Sequence, residues 1–252
     1  MKIVGRDVDE LFYNVAKELI NSPLCSPRDL KTKEIIKAEL VVQEPKYCVV
    51  SNGARNLSLK YLGGELDWYL SGDKSIDKIS EYSSFWEKIA DLNREVNSNY
   101  GEIIFKQKLE NFDNNQYSWV LDKLFEDKYS RKALINFNQP KHKSNTNDFV
   151  CATSAHYMIR DNKLISIVDM RSNDLIFGFS YDFPFFSYLH QNLFLDLKEK
   201  YADLELGEAY HDANSLHVYE RHFNLIEKIV KEYELNNPKS KTLDELGLFK
   251  KL

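Results

Sequence analysis

The chain has 252 residues, 43% hydrophobic and 13% aromatic, enough to bury one large core, and its 9 Gly and 6 Pro leave little material for disordered linkers. The 34 basic and 39 acidic residues give a net charge of −5, which excludes a general field for attracting nucleic acid, so any phosphate has to be held locally. Three cysteines, Cys25, Cys48 and Cys151, have no metal-finger or C-x-x-C spacing, no apolar run approaches the roughly 18 residues of a membrane span, and the acidic start MKIVGRDVDELF is unlike a signal peptide, so a reducing, cytoplasmic location is expected.

Leu11, Phe12, Val15 and Leu19 recur at helical spacing and predict a first helix over 7–20. The β-branched run 34–43, halted by Pro45, predicts a strand. Leu59, Leu62, Leu66 and Tyr69 mark a second helix closed by Gly72, and a third over 84–92 turns Trp86 and Ile89 inward. After a polar loop over 107–116, a short helix over 119–125 and a strand over 133–137 follow, then a Lys-rich polar stretch over 139–147 expected to be a mobile loop. Two β-rich runs, 149–160 and 163–171, are separated by Asp161-Asn162, a turn that wants positive φ, and so form a hairpin. Asp182 and Pro184 stand where a cap and first turn belong, ahead of the buried stripe Phe186, Leu189, Leu193 and Leu197 of a long helix. A strand within 205–219 and a helix carrying Phe223, Ile226, Val230 and Tyr233 complete the pattern. Strands and helices without regular alternation or repeats predict an α+β fold, in one domain spanning 1–252.

Several residues in this pattern can carry chemistry. Cys151 opens one strand of the hairpin and Arg171 ends the other, so the two lie nearly opposite, and a guanidinium beside a thiol favours the thiolate. A buried structural cysteine beside a surface arginine satisfies the same spacing. Arg171-Ser172-Asn173-Asp174 offers charge-assisted bonds to a phosphate, or is a solvated turn. His217 and Tyr219 share one face of a strand, either to grip a sugar hydroxyl or as a satisfied core pair. No metal-ligand spacing occurs, and no Rossmann, P-loop or G-x-S-x-G motif.

These residues resemble the thymidylate synthase superfamily and, within it, the phage-type deoxycytidylate hydroxymethylases. The likeness is dense at Glu65-Leu66-Asp67-Trp68-Tyr69, at Asn97-Ser98-Asn99-Tyr100-Gly101, from Cys151 through Arg171-Ser172-Asn173-Asp174 and Phe177-Gly178-Phe179 to Asp182, and at Ser215-Leu216-His217-Val218-Tyr219. It implies a large mixed sheet flanked by helices, two copies packing sheet to sheet, and transfer of a one-carbon unit from 5,10-methylenetetrahydrofolate to carbon-5 of a pyrimidine nucleotide. Cys151 is then the nucleophile at carbon-6, with Glu65 and Tyr100 managing protons. Arg171 and Ser172 hold the nucleotide phosphate, as does Arg28, and the pair Arg131 and Lys132 reaches the partner's phosphate across the dimer interface. Lys132 stands where an arginine is common, replacing a bidentate fork by a point charge. His217 and Tyr219 match ribose contacts, Asp174 and Gly178 line the folate and pyrimidine pocket, and Trp86 packs on the folate side or in the core.

Asp182 fills a position held by asparagine in thymidylate synthases. A carboxyl group that accepts from an amino group and, when protonated, donates to a ring nitrogen suits cytosine, so dCMP is the expected substrate; a helix N-cap is the plainer role for the same residue. Val150-Cys151-Ala152 replaces the family's Pro-Cys-His, and 247–252 lacks its closing motif, which together imply capture of water to give 5-hydroxymethyl-dCMP. Uridylate and CMP hydroxymethylases, an atypical thymidylate synthase and a nucleotide-binding regulatory paralogue are the alternatives. The resemblance also implies a phage or phage-like origin, no metal, no membrane and no direct nucleic-acid binding.

Overall fold

A computed structural model describes residues 1–110, 114–143 and 147–252; of Arg28 it describes the backbone alone. In chain order the elements are β1 (Lys2–Gly5), α1 (Val8–Asn21), β2 (Leu24–Cys25), β3 (Thr32–Val42), α2 (Leu59–Ser71), α3 (Phe85–Ile89), α4 (Gln116–Glu126), β4 (Leu134–Asn136), β5 (Ala152–Arg160), β6 (Lys163–Met170), β7 (Asn173–Asp174), α5 (Ser180–Lys198), β8 (Glu205–Tyr219) and α6 (Phe223–Asn236). They fall into two compact units, one of residues 1–57 and 159–252, the other of residues 58–158.

The first unit is built on a mixed sheet in which β3 and β8 pair antiparallel, β1 runs parallel to β3, and β6 and β7 run parallel to β8. The expected α+β class with a large mixed sheet is thus present. One face of β8 buries Ala209, His211 and Ala213, then Leu216 and Val218, so the period-2 alternation changes phase at exposed Asn214. Directly across on β3, Lys37 adopts a left-handed backbone with φ of 54°. That local twist puts Ser215, His217 and Tyr219 on the half-buried face together. Against β1 and β3 packs α1, whose Leu11, Phe12, Val15 and Leu19 are fully buried, each side chain stabilising by about 1.5–3 kcal/mol relative to exposure. Asp7 caps α1 by accepting from the Glu10 amide at 3.0 Å. The turn at Asp161 and Asn162 has φ of 49° and 59°, as a two-residue hairpin loop requires.

In the second unit α2 is capped by Ser58, which accepts from Tyr61 N at 3.2 Å, and is closed by Gly72 at φ of 60°. Its Trp68 and Tyr69 are buried and tilted against each other. Gly101 lies where a Cβ would come within 1.5 Å of the Tyr69 carbonyl oxygen, so only glycine lets the backbone pass.

Three expectations need correction. The third helix is a single short turn, Phe85–Ile89, with Trp86 buried and Ile89 only half-buried, because Ala90 already has extended backbone. Cys151 precedes β5 and Arg171 follows β6 instead of lying within them. Asp182 does not cap α5: a π-helical turn, Leu175–Phe179, runs straight into the helix, and it is Asp174 that caps this turn, accepting from Ile176 N at 2.6 Å and Phe177 N at 3.0 Å. Asp182 is left in the first turn with its carboxyl available for another partner. The expected loop over 139–147 contains a 3-10 turn, Pro140–Lys143, with His142 buried; residues 144–146 lie outside the described residues.

Candidate active site

In the first unit the predicted residues gather on β7, the start of α5 and the end of β8. Asp182 Oδ2 accepts a 2.7 Å hydrogen bond from Asn173 Nδ2, and burial pushes its carboxyl up to about 7, the amide pulling weakly the other way. Gly178 makes this pair possible, since a Cβ there would sit 2.8 Å from Asn173 Nδ2. Arg55, only 8% exposed, donates to the Ile176 carbonyl at 2.7 Å and to Ser180 Oγ at 3.2 Å, and lies over the Tyr181 ring, which pins the π-helical turn leading to Asp182. Neither Asn173 nor Arg55 carries a sequence pattern that assigns it this work. Asn173 adjoins a predicted residue, but a lone arginine in an irregular loop gives no periodicity to read.

Strand β7 places Asp174 opposite His217 on β8. Among the described residues Asp174 Oδ2 and Asn173 Oδ1 are buried acceptors without a hydrogen-bond partner, an arrangement that costs about 1–3 kcal/mol per group unless a donor arrives. An acceptor of this kind suits the N–H edge of a pterin or a pyrimidine. Arg171 Nη1 donates to Ser172 Oγ at 3.2 Å, so guanidinium and hydroxyl form one polar group at the end of β6. His217 and Tyr219 meet edge to face with centroids 5.2 Å apart, and the Arg221 guanidinium covers the Tyr219 ring. The side chain of Arg28 lies outside the described residues, its backbone in the turn Pro27–Asp29.

In the second unit Glu65 is buried on α2, and its Oε1 accepts from Tyr61 OH at 2.7 Å while the Trp86 indole N–H donates to the same hydroxyl at 3.1 Å. Glu65 and Trp86 are therefore joined through Tyr61, a residue the sequence pattern did not single out. Tyr100 stacks on Tyr69 at 5.1 Å, and Trp68 lies 4.8 Å from Trp86, so an aromatic row underlies the carboxylate. Cys151 is half-buried, its Sγ 4.0 Å from the Phe149 carbonyl oxygen. The segment before it is anchored by Asp148, which accepts from Ser98 N at 2.6 Å, and by Asn138, which donates to the Val150 carbonyl at 3.2 Å. An open cleft of about 840 Å³ lies between residues 90–93 and His142, Lys143, Asn147 and Phe149. Arg131 and Lys132 are exposed between α4 and β4. Among the described residues no group of His, Cys, Asp and Glu is arranged to hold a metal ion, and no helix is long and apolar enough to cross a membrane.

The fold matches that of a solved structure, the thermostable thymidylate synthase A from Bacillus subtilis, with a TM-score of 0.68 at 17% identity, covering 93% of this chain and 86% of that one. The thymidylate synthase family model matches residues 29–247, and the chain belongs to that family. It is an enzyme that transfers a one-carbon unit, and its family uses methylenetetrahydrofolate as co-substrate. Over 206 residues it is 33% identical to the deoxycytidylate 5-hydroxymethyltransferase of Enterobacteria phage T4, spanning 79% of this chain and 80% of that protein. It is 25% identical over 245 residues to the deoxyuridylate hydroxymethyltransferase of Bacillus phage SP01, covering 92% of this chain and 63% of that relative.

Proposed function

We propose that the protein hydroxymethylates carbon-5 of dCMP, consuming 5,10-methylenetetrahydrofolate and water and releasing 5-hydroxymethyl-dCMP and tetrahydrofolate. The observation that carries this reading is the Asn173–Asp182 pair. Asn173 donates to Oδ2, so the proton that burial favours belongs on Oδ1. Oδ1–H can then donate to ring nitrogen 3 of cytosine, while Oδ2, with a lone pair to spare, accepts from the exocyclic amino group. Uracil presents the reverse pattern and leaves both contacts mispaired, which discriminates by as much as about 10⁴.

The remaining residues take the roles their types allow. The Cys151 thiolate adds to carbon-6, which makes carbon-5 nucleophilic toward the one-carbon unit that methylenetetrahydrofolate supplies. Glu65, oriented by Tyr61, moves protons for the added water, and Tyr100 belongs to the same proton network. Arg171 and Ser172 bind the nucleotide phosphate, with Arg28 as a further ligand; His217 and Tyr219 bind the ribose. Asp174, with its unmatched oxygen, and Gly178 line the pocket for base and folate, and Trp86 flanks the folate. Arg131 and Lys132, both exposed, reach the phosphate bound by a second copy in a sheet-to-sheet homodimer.

The likeness to the phage SP01 protein favours a second reading, hydroxymethylation of dUMP. Incubating the protein with methylenetetrahydrofolate and dCMP, CMP or dUMP separates these readings by product. Hydroxymethyl-dCMP is expected, and accumulation of dihydrofolate would overturn the assignment, because it reports hydride transfer instead of water addition. Cys151→Ser is expected to abolish turnover while dCMP still binds; persisting turnover would remove Cys151 as nucleophile.

A further inference from the structure

His217 is not left to choose its own tautomer. Its Nδ1 lies 3.2 Å from the carbonyl oxygen of Ser215 and 3.5 Å from Ser215 Oγ. A carbonyl oxygen only accepts, so it calls for hydrogen on Nδ1 and leaves Nε2 as an acceptor. The Ser215 hydroxyl is the competitor, because by turning its own hydrogen toward Nδ1 it would favour the opposite tautomer. Glu34 removes that option. It sits opposite His217 in the β3–β8 pairing, and the Ser215 hydroxyl donates to Glu34 Oε1, so only lone pairs of Oγ face the ring.

The carboxylate is itself held from behind. Glu34 Oε2 accepts from the Cys25 thiol at 3.3 Å, and that sulfur lies 3.0 Å from Oγ1 of the buried Thr32. Thr32, Cys25, Glu34, Ser215 and His217 thus form one hydrogen-bonded row across β2, β3 and β8. With an acceptor-only group at its centre, both arms of the row donate toward Glu34, as they need not toward an amide at position 34.

We propose that Glu34, acting through Ser215, is a positioning residue that holds His217 with its proton on Nδ1, so that Nε2 accepts the ribose 3′-hydroxyl hydrogen of the nucleotide. This rests on the assignment of His217 as a ribose ligand. The test uses the full chain with Glu34→Gln, Ser215→Ala and Ser215→Thr, and reads two quantities. Nitrogen-15 NMR of the imidazoles, with His217 assigned by its loss in His217→Gln, reports the tautomer without substrate. The Nδ1–H form is expected in the parent protein and in Ser215→Thr, which keeps the hydroxyl, and a mixture with the Nε2–H form in Glu34→Gln and Ser215→Ala. Kinetics then compare dCMP with its 3′-deoxy analogue. In Glu34→Gln the KM for dCMP is expected to rise about tenfold with kcat little changed, and the KM for the analogue to stay put, as loss of one well-aligned hydrogen bond implies.

An unchanged tautomer in both Glu34→Gln and Ser215→Ala overturns the proposal, as does a KM penalty equal for the two nucleotides. Failure of the underlying ribose assignment looks different: His217→Gln would then handle dCMP and the analogue no less well than the parent, whatever the tautomer. Should Ser215→Ala not fold, Glu34→Gln and Ser215→Thr still decide the matter.

Discussion

At the residue scale the buried Asp182 carboxyl, proposed above to read the base, is the sharpest feature. Its place in the sequence pointed to cytosine only through the family likeness, since a lone Asp before Pro184 reads most simply as a helix cap. The structure assigns the capping to Asp174 and gives Asp182 an amide partner instead. Asn173 stood in a run that the sequence offered to a phosphate, and its role toward Asp182 was not legible; Arg55 was not singled out at all, because it acts on another protein group and lies in no periodic pattern. Asp182→Asn offers an amide that, with Asn173 turned to accept from its nitrogen, sets an acceptor against ring nitrogen 3 and a donor against the exocyclic position, the pattern that uracil needs. The expected outcome is a shift of kcat/KM toward dUMP by about 10²-fold or more, measured by tritium release from carbon-5 of each nucleotide. An unchanged ratio would remove Asp182 from base recognition.

At the scale of elements, long periodic segments were plain from sequence: α1, α2, α6, β3 and the β5–β6 turn all fall within a few residues of their predicted bounds. The hydrophobic stripe of a helix and the alternation of a strand are repeated signals, and repetition makes them legible. The short strands β1, β2 and β7 offer too few residues for a period, and the π-helical turn before α5 follows no common sequence template. Close approach is likewise invisible until the chain is folded, and Gly101 is the case in point. Gly101→Ala would drive a methyl into the Tyr69 carbonyl, so the backbone must move and carry Tyr100 off its stacking partner. A loss of about 1–3 kcal/mol in urea unfolding is expected, together with a fall in kcat greater than any rise in KM, since Tyr100 is assigned to proton handling. A variant as stable and active as its parent would show that the backbone at this crossing yields freely.

For the molecule as a whole, four buried ionisable groups set how stability varies with pH. Burial pushes Asp9 up to about 6, although Ser51 N, Asn52 N and Ser240 Oγ all donate to it, and pushes Asp182 up to about 7. The same cause drives His190 down to about 4 and His211 down to about 3. The raised carboxyl groups favour the fold fully below their unfolded value of 3.8 and lose that contribution as pH climbs through about 6 and 7. The depressed imidazoles do the opposite, favouring the fold above 6.5 and losing that contribution as pH falls toward about 4 and 3. Between roughly pH 4 and 6 the folded chain carries about two protons on the aspartates and the unfolded chain about two on the histidines, so these groups together leave stability nearly flat. His211 is the member that can be removed cleanly, because among the described residues neither ring nitrogen has a partner and Phe179, Phe183 and Phe186 surround it. His211→Leu is expected to gain about 2 kcal/mol over the parent at pH 5 beyond any difference at pH 8. Relative to the parent its stability should then fall by up to about 1.4 kcal/mol per pH unit from 4 to 6. Urea titrations across that range measure both, and a gain of the same size at pH 5 and pH 8 would mean that the benefit is packing alone and that His211 carries no proton linkage.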